Sequence, residues 1–594
     1  MRILGLIDFV RQRPLVLLAK KMFRVWRRSG LSGVRWRKRL LHHQTIGYAQ
    51  WLMAERQQLS MERESLATEI DGLQNPPLIT IVMPVCDPDR PWLEKAIESV
   101  RQQTYSHWQL CIADDASTQP YVRQLIESAA ASDERIDVVF RESRGHICAA
   151  TRSALSLSNG EFITFLDHDD EISPYALARI AVGIDRDHEV DLLYSDEDII
   201  GSDGKRYDPY FKPDWNPELL RSQNYLCHLS IYRANLLREL DAFRPEVQGS
   251  QDWDLALRAS ENARCIRHIP HVLYHWRSIS GSTAHADNVK VYALDAGRRA
   301  VQEHLVRRGE KAEATLLEFG HLRIRRSLPG EMPGVSIVIA SDSESDIFRH
   351  MKVLQKFNGY SLELVVATTE HFDEMDFPDG CIVFPVDSEE AQSSRLNRAA
   401  AAASGDILCF MDERCEAIDA VQLESLVFEA IRTEVGAVGA RLLSPGGCIQ
   451  HAGYFLDFEM IVLHPYRGAP ANFAGLRNRA LLQQNVSAVS ASCLAVKKDL
   501  FEQIGGFNAA SGVFHDVDFC LRLLEAGLYN IWTPYVSLTM RDSLNDDTVE
   551  SCQDEADAMQ YMKTRWRDQL VRDPAGNPNI MIDHGLPVPV VKRT

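Results

Sequence analysis

Apolar and polar positions follow three different rhythms along the 594 residues. In residues 1–74 the spacing is helical. Leu15, Leu18, Met22, Val25 and Trp26 can share one face, and Lys20, Lys21, Arg24, Arg27 and Arg28 fall largely elsewhere around it. A break is expected at Ser29–Gly33, and Asn75-Pro76-Pro77 reads as a hinge. From Leu78 the rhythm becomes short apolar runs alternating with amphipathic stretches. Strands are predicted at 78–83, 108–113, 135–140 and 161–166, with helices around 92–100 and at 146–158. Near-continuous apolar strands separated by helices predict a mainly parallel, doubly wound α/β sheet.

The same pattern restarts at Val335. "VSIVIA" (335–340), "LELVVA" (362–367) and "DILCFMDE" (406–413) repeat the first, second and fourth strands at an interval of about 250 residues, with a helix around 348–354. The expected division is a basic helical segment over 1–74, α/β domains over 75–328 and 333–565 joined by Pro329–Pro333, and a tail over 566–594.

Composition narrows the classes. No apolar run approaches the ~20 residues needed to span a bilayer, and the start of the chain does not read as a secretory signal. Twelve cysteines without Cys-x-x-Cys or zinc spacing suggest reduced thiols and a cytoplasmic location. The net charge of −18 is uneven. Residues 1–43 hold twelve Lys or Arg and one acid, a surplus of eleven, which leaves −29 on the rest. An acidic body argues against general nucleic-acid binding. The basic, Trp-containing leader fits peripheral contact with the anionic inner face of a membrane; it fits equally a helix packed on the next domain.

In open α/β sheets ligands bind at the carboxyl ends of the strands, and acids stand there. The first strand runs into Asp87, the second ends in Asp114-Asp115, and the fourth ends in Asp167-His168-Asp169-Asp170. One Asp after a strand is commonly a turn or cap residue, which keeps that alternative open for Asp87. Clustered carboxylates repel one another, and a divalent cation relieves this. Oxygen ligands suit Mg²⁺ or Mn²⁺, which keeps substrate phosphate in its shell, so a nucleotide ligand is expected.

"ITIVMPVCDP", "QTYSHWQLCIADDAS", "GEFITFLDHDDEISP", "GSQDWDLALR" and "LYHWR", in this order, resemble family 2 glycosyltransferases of the GT-A fold, particularly bacterial enzymes of O-antigen and cell-surface polysaccharide assembly; the resemblance covers about residues 77–325. It implies two tandem GT-A domains behind the basic leader. It also implies a nucleotide-sugar donor, Mg²⁺ or Mn²⁺, and transfer with inversion to a hydroxyl of a glycan or lipid-linked acceptor. The implied nucleotide contacts are Asp115 at the base, Asp87 nearby, Asp167 at the ribose or metal, and Arg152 and Arg277 at the diphosphate. Asp167, Asp169 and His275 are the implied metal ligands, and Asp252 the catalytic base that takes a proton from the acceptor hydroxyl. Asp252 could instead cap the following helix, and His275 could be a hydrogen-bonded core residue. The Gln-x-x-Arg-Trp signature of processive polymerases is absent, which favours transfer of one or a few sugars.

The second repeat resembles another branch of the family through "CIQHAGYFL" (448–456), "HPYRG" (464–468), "SAVSASCLAV" (487–496) and "HDVDFCLRL" (515–523). Its chemical positions have drifted. The paired acids are replaced at Ala367-Thr368-Thr369, the metal motif reads Asp412-Glu413-Arg414, and "LTMRDS" (538–543) holds no His, while Asp516 keeps the base position. An Arg among acids can neutralise the site without metal, so a degenerate domain that binds acceptor or partner is expected. The alternatives are a second active domain, or a scaffold protein with no catalysis.

Overall fold

The computed structural model describes residues 15–278, 291–328, 330–354, 361–370, 377–541 and 552–590. The chain is mixed α/β, with two nine-stranded sheets of related topology behind a pair of long helices.

The first sheet contains β1 (Ile79–Val85), β2 (Trp108–Asp114), β3 (Ile136–Phe140), β4 (Phe162–Phe165), β5 (Glu171–Ile172), β6 (Val190–Gly201), β7 (Arg206–Tyr210), β8 (Ser230–Arg233) and β9 (Cys265–Ser278). The strand order is β3-β2-β1-β4-β8-β6-β9-β5, with β7 added on β6. Strands β3, β2, β1 and β4 run parallel, as the sequence predicts. Every residue of β1 and β2 is buried, which is why these strands read as unbroken apolar runs; each large apolar side chain withdrawn from water contributes about 1.5–3 kcal/mol. The antiparallel β8 and the β6–β9 parallel pair complete the sheet.

The second sheet repeats this order, with Val335–Ala340, Leu362–Thr368, Cys381–Pro385 and Ile407–Met411 in the places of β1, β2, β3 and β4. Register ties the repeats together residue by residue. Phe162 faces Arg233 as Ile407 faces Lys497. Asp169 is thereby matched by Arg414, and His228 by Ser492.

The leader packs on the body. Its first helix, Leu15–His42, is interrupted at Gly30, whose φ of 60° falls inside the break expected at Ser29–Gly33. The second helix, Tyr48–Asp71, buries Tyr48, Trp51 and Leu66 and forms ion pairs from Glu62 to Arg179 and Glu55 to Arg206. Phe23, Trp26 and Leu31 of the first helix stay exposed. No described helix is long and apolar enough to cross a membrane.

Within the tail expected over 566–594, the described residues 566–590 pack on the body. Trp566 is fully buried in the second core, and the hairpin Ile580–Asp583/Leu586–Pro589 follows a segment wedged between the two repeats. A buried ion network also joins them. Glu218, 2 % exposed, accepts from Arg221 at 2.8 Å and pairs with Arg432 at 2.7 Å, and Arg326 bridges Glu310 and Glu429.

Candidate active site

The parallel strands β1, β2 and β4 end along one edge, and there the chain opens a cavity of about 400 Å³ whose lining includes Asp115, Arg144, Asp167, Asp169, Trp276 and Arg277. Asp115 is 2 % exposed. It receives Arg141 Nε at 2.8 Å and the Gly145 backbone N–H at 2.9 Å, so the carboxylate is fixed at the cavity wall.

Three acids follow β4 in four residues. Burial pushes the carboxyls of Asp167, Asp169 and Asp170 up, and repulsion within the cluster adds to this at Asp169 and Asp170. Asp170 is committed to the scaffold: Tyr274 Oη donates to it at 2.6 Å and the Arg277 backbone N–H at 2.7 Å. Asp167 keeps 42 % of its side chain exposed. Two carboxylates lining one polar cavity fit a divalent cation, whose charge would relieve their repulsion. Among the described residues no three His, Cys, Asp or Glu side chains are already assembled around one point. The rest of a cation's shell would come from ligand phosphate and water.

Arg277 meets the expectation of a group reaching this cavity. It is 1 % exposed, donates from Nε to the Asp169 carbonyl at 2.8 Å, forms an ion pair with Glu171 and lies 4.4 Å over the Trp92 ring. Its Nη1 has no partner among the described residues. A buried donor left open beside the cavity is suited to a phosphate oxygen.

Three of the residues implied as contacts have other partners in this structure. His275 does not line the cavity. Its Nδ1 is 2.6 Å from Asp198 Oδ1, in a buried cluster where Asp198 also accepts from Tyr48 Oη and Arg206 Nε, an arrangement that fits the alternative reading of a hydrogen-bonded core histidine. Beside His168, which lines the cavity, a second imidazole approaches the acids: His228, with Nε2 3.7 Å from Asp167 Oδ2 and its ring stacked on Tyr274 at 4.4 Å. Arg152 is also turned away, donating to the Phe243 carbonyl at 2.7 Å and pairing with Asp241 at 2.8 Å. Asp87, at a φ of 45°, accepts from the backbone N–H of Thr118 at 2.7 Å and of Gln119 at 3.2 Å, the turn role of the alternative reading. Its ion-pair partner Arg144 lines the cavity in its stead.

Asp252 begins the helix Gln251–Asn262. Its Oδ2 accepts from Asn224 Nδ2 at 2.8 Å and lies 3.7 Å from Cys227 Sγ. It is not among the residues lining the cavity. The segment 224–228 connects it to the acids, since His228 of that segment faces Asp167. Asn224 and His228 carry no sequence signal of their own, because neither lies in a strand-end acid motif.

The second repeat has a larger cavity of about 1510 Å³ at the corresponding edge, lined among others by Asp342, Asp412, Glu413, Arg395, Arg414 and Arg541. Arg414 closes on Asp412 through Nε at 2.9 Å and Nη2 at 2.8 Å. Asp516 is 5 % exposed and accepts from the backbone N–H of Ala491 and Val517 and from Tyr454 Oη.

The first sheet thus delivers carboxylates and a guanidinium nitrogen without a partner among the described residues to one cavity at its strand ends, where ligands bind in open α/β sheets. In the comparison with known proteins, residues 80–241, within the first repeat, match Glycosyl transferase family 2. The chain is 38 % identical over 545 residues to the uncharacterized protein y4gI of Sinorhizobium fredii, covering 88 % of this chain and 60 % of that protein. It is 33 % identical over 512 residues to the O-antigen biosynthesis protein RfbC of Myxococcus xanthus, covering 84 % of this chain and 40 % of that protein. It thus spans 60 % or less of the length of these two relatives. A solved structure, S. aureus TarS 1–349 in complex with UDP-GlcNAc, aligns over 38 % of this chain and 66 % of its own at 22 % identity and a TM-score of 0.32.

Proposed function

We propose that the first repeat transfers a sugar from a nucleotide-sugar donor to a hydroxyl of a glycan or lipid-linked glycan, with inversion, in surface polysaccharide assembly. The observation that carries this reading is the convergence of Asp115, Asp167, Asp169 and Arg277 on one cavity. Asp115 lies where it can read the base, and Arg277 Nη1 offers a donor to the diphosphate. Asp167 and Asp169 would hold Mg²⁺ or Mn²⁺, which when bound supplies positive charge against the leaving diphosphate. Asp252 takes the proton of the acceptor hydroxyl as that oxygen attacks the anomeric carbon. One base fits a single displacement and hence inversion.

The second repeat, with Arg414 locked on Asp412 and Asp516 buried, acts in this reading as a binding and bracing domain rather than a second catalyst. The exposed Phe23, Trp26 and Leu31 of a basic helix support contact with an anionic membrane surface. Relatives named for O-antigen and polysaccharide biosynthesis support the pathway class. The test is a panel of nucleotide sugars screened by thermal shift with and without Mn²⁺. A Tm rise with at least one donor, present only with the cation, is expected. No shift with any donor under either condition would count against the reading.

A further inference from the structure

We propose that residues from the far end of the chain, Asn577 and with it Lys212, are positioning residues for the transfer chemistry of the first repeat; this rests on the transferase reading of Asp252.

Asp252 takes its polar partners from the segment 224–228, through Asn224 Nδ2 and Cys227 Sγ. The same segment carries His228 to Asp167. Its backbone is held from behind by Lys212, a fully buried cation. Lys212 Nζ donates to the Leu226 carbonyl at 2.7 Å and to the His228 carbonyl, and lies 3.0 Å from Glu197 Oε2. A buried ammonium is held in place by its bonds, because any move that breaks one leaves it desolvated and unpaired.

Lys212 is fixed in turn by the C-terminal segment. Asn577 Nδ2 donates to the Lys212 carbonyl at 2.7 Å and to both oxygens of Asp196 at 3.0 Å, and Asp196 Oδ1 also accepts from the Lys212 backbone N–H at 2.8 Å. Asn577 is 4 % exposed and Asp196 fully buried. The segment is anchored on the second repeat by Asp573, which accepts from Ser487 Oγ and from the Leu456 backbone N–H at 2.9 Å. On the first repeat the Gly576 carbonyl accepts from the Asp214 backbone N–H at 3.0 Å. Polar contacts therefore run from the second repeat to Asp573, along the backbone to Asn577, and through Lys212 to the segment that orients Asp252. The donor wall, built from Asp115, Asp167, Asp169 and Arg277, has its own supports on β2, β4 and β9. The donor wall meets the braced segment where His228 faces Asp167, whereas Asp252 takes its side-chain partners Asn224 and Cys227 from that segment, so loosening the brace acts more on acceptor activation than on donor binding.

The test uses full-length Asn577→Ala, with Ser487→Ala as a milder variant at the other anchor. In the ligand-free protein, alkylation of Cys227 by iodoacetamide, followed by peptide mass spectrometry, is expected to quicken about fivefold in Asn577→Ala, with the buried Cys111 and Cys409 unchanged. With a donor found in the panel, kcat is expected to fall about tenfold while donor affinity in Mn²⁺ stays within about twofold. Ser487→Ala is expected to shift both readouts in the same direction, by less. Wild-type Cys227 reactivity in Asn577→Ala would overturn the proposal, as would kcat and donor affinity falling in parallel. Should no nucleotide sugar turn over in the wild type, the transferase reading fails, and the Cys227 rate still decides whether the brace exists.

Discussion

The two repeats place the same strands around opposite kinds of corner. In the first, Asp167 and Asp169 stand together in the cavity, their carboxyls pushed up by burial, and Asp252 is half-buried with side-chain partners from a braced segment. In the second, Arg414 replaces the matching carboxylate and clamps Asp412, and the residue matching Asp252 is sealed by backbone donors and Tyr454. The difference teaches that a sheet edge is a chemical site only while its charges remain unsatisfied by the fold. The first corner leaves Asp167, Asp169 and Arg277 Nη1 open toward the cavity, whereas in the second the residues matching Asp167 and Asp252, Asp412 and Asp516, are bonded within the fold.

The comparison breaks most visibly at the matched pair Asp169 and Arg414. Asp169→Ala is expected to lower turnover roughly 10²-fold or more, and Arg414→Ala to leave it within about twofold, measured as steady-state rates in Mn²⁺. Equal losses would mean that both corners work. Next in size is the network between the repeats. Burial alone would push Glu218 up, but the guanidinium groups of Arg432, Arg221 and Arg326 outweigh it and hold its carboxyl well below the usual range. Glu218→Gln removes the charge that compensates them, so stability should fall by about 3–5 kcal/mol, read as denaturant midpoints. A loss under about 1 kcal/mol would show the network to be dispensable.

Acid should then weaken both repeats. Burial lowers His350 and His464 to about 4 and His451 well below its ordinary value, all in the second repeat. In the first repeat burial lowers His271 and His321 to about 4 and holds His228 and His304 below the ordinary value, whereas at His268 the pull of Asp196 and Asp214 outweighs burial and raises it. A buried neutral histidine stays unprotonated while the unfolded chain takes up a proton below about pH 6.5. Its stabilisation is therefore complete above pH 6.5 and shrinks as pH falls toward 4, by about 2–3 kcal/mol each at most. His268 works in the opposite sense, favouring the fold when protonated. Hydrogen exchange should find both sheets opening more readily near pH 4.5 than near pH 7; protection unchanged between the two would contradict this assignment. The smallest expected effect is at the leader, where Phe23→Ser with Trp26→Ser should weaken sedimentation with anionic vesicles severalfold without changing Tm. Unchanged sedimentation would dismiss the membrane contact.

The strands and their terminal acids were legible because both are local: a buried strand is one unbroken apolar run, and its end carries the next polar residue. The break at Gly30 was legible for the same reason. What escaped the sequence depends on partners distant along the chain. His275 is claimed by Asp198, 77 residues away, itself bonded to Tyr48 at a separation of 150, and Arg152 by Phe243 at 91. The hold of Asn577 on the Lys212 carbonyl spans 365 residues. No spacing rule reaches across such intervals, and a side chain's role is decided by which of them closes.

The central claim is that Asp252 performs proton transfer and does not bind the donor. Full-length Asp252→Asn, titrated calorimetrically with the best nucleotide donor in Mn²⁺ and then assayed for transfer, tests it most directly. Donor affinity within about twofold of wild type with turnover reduced about 10³-fold is predicted. Turnover at the wild-type rate, with the donor bound as before, would contradict it.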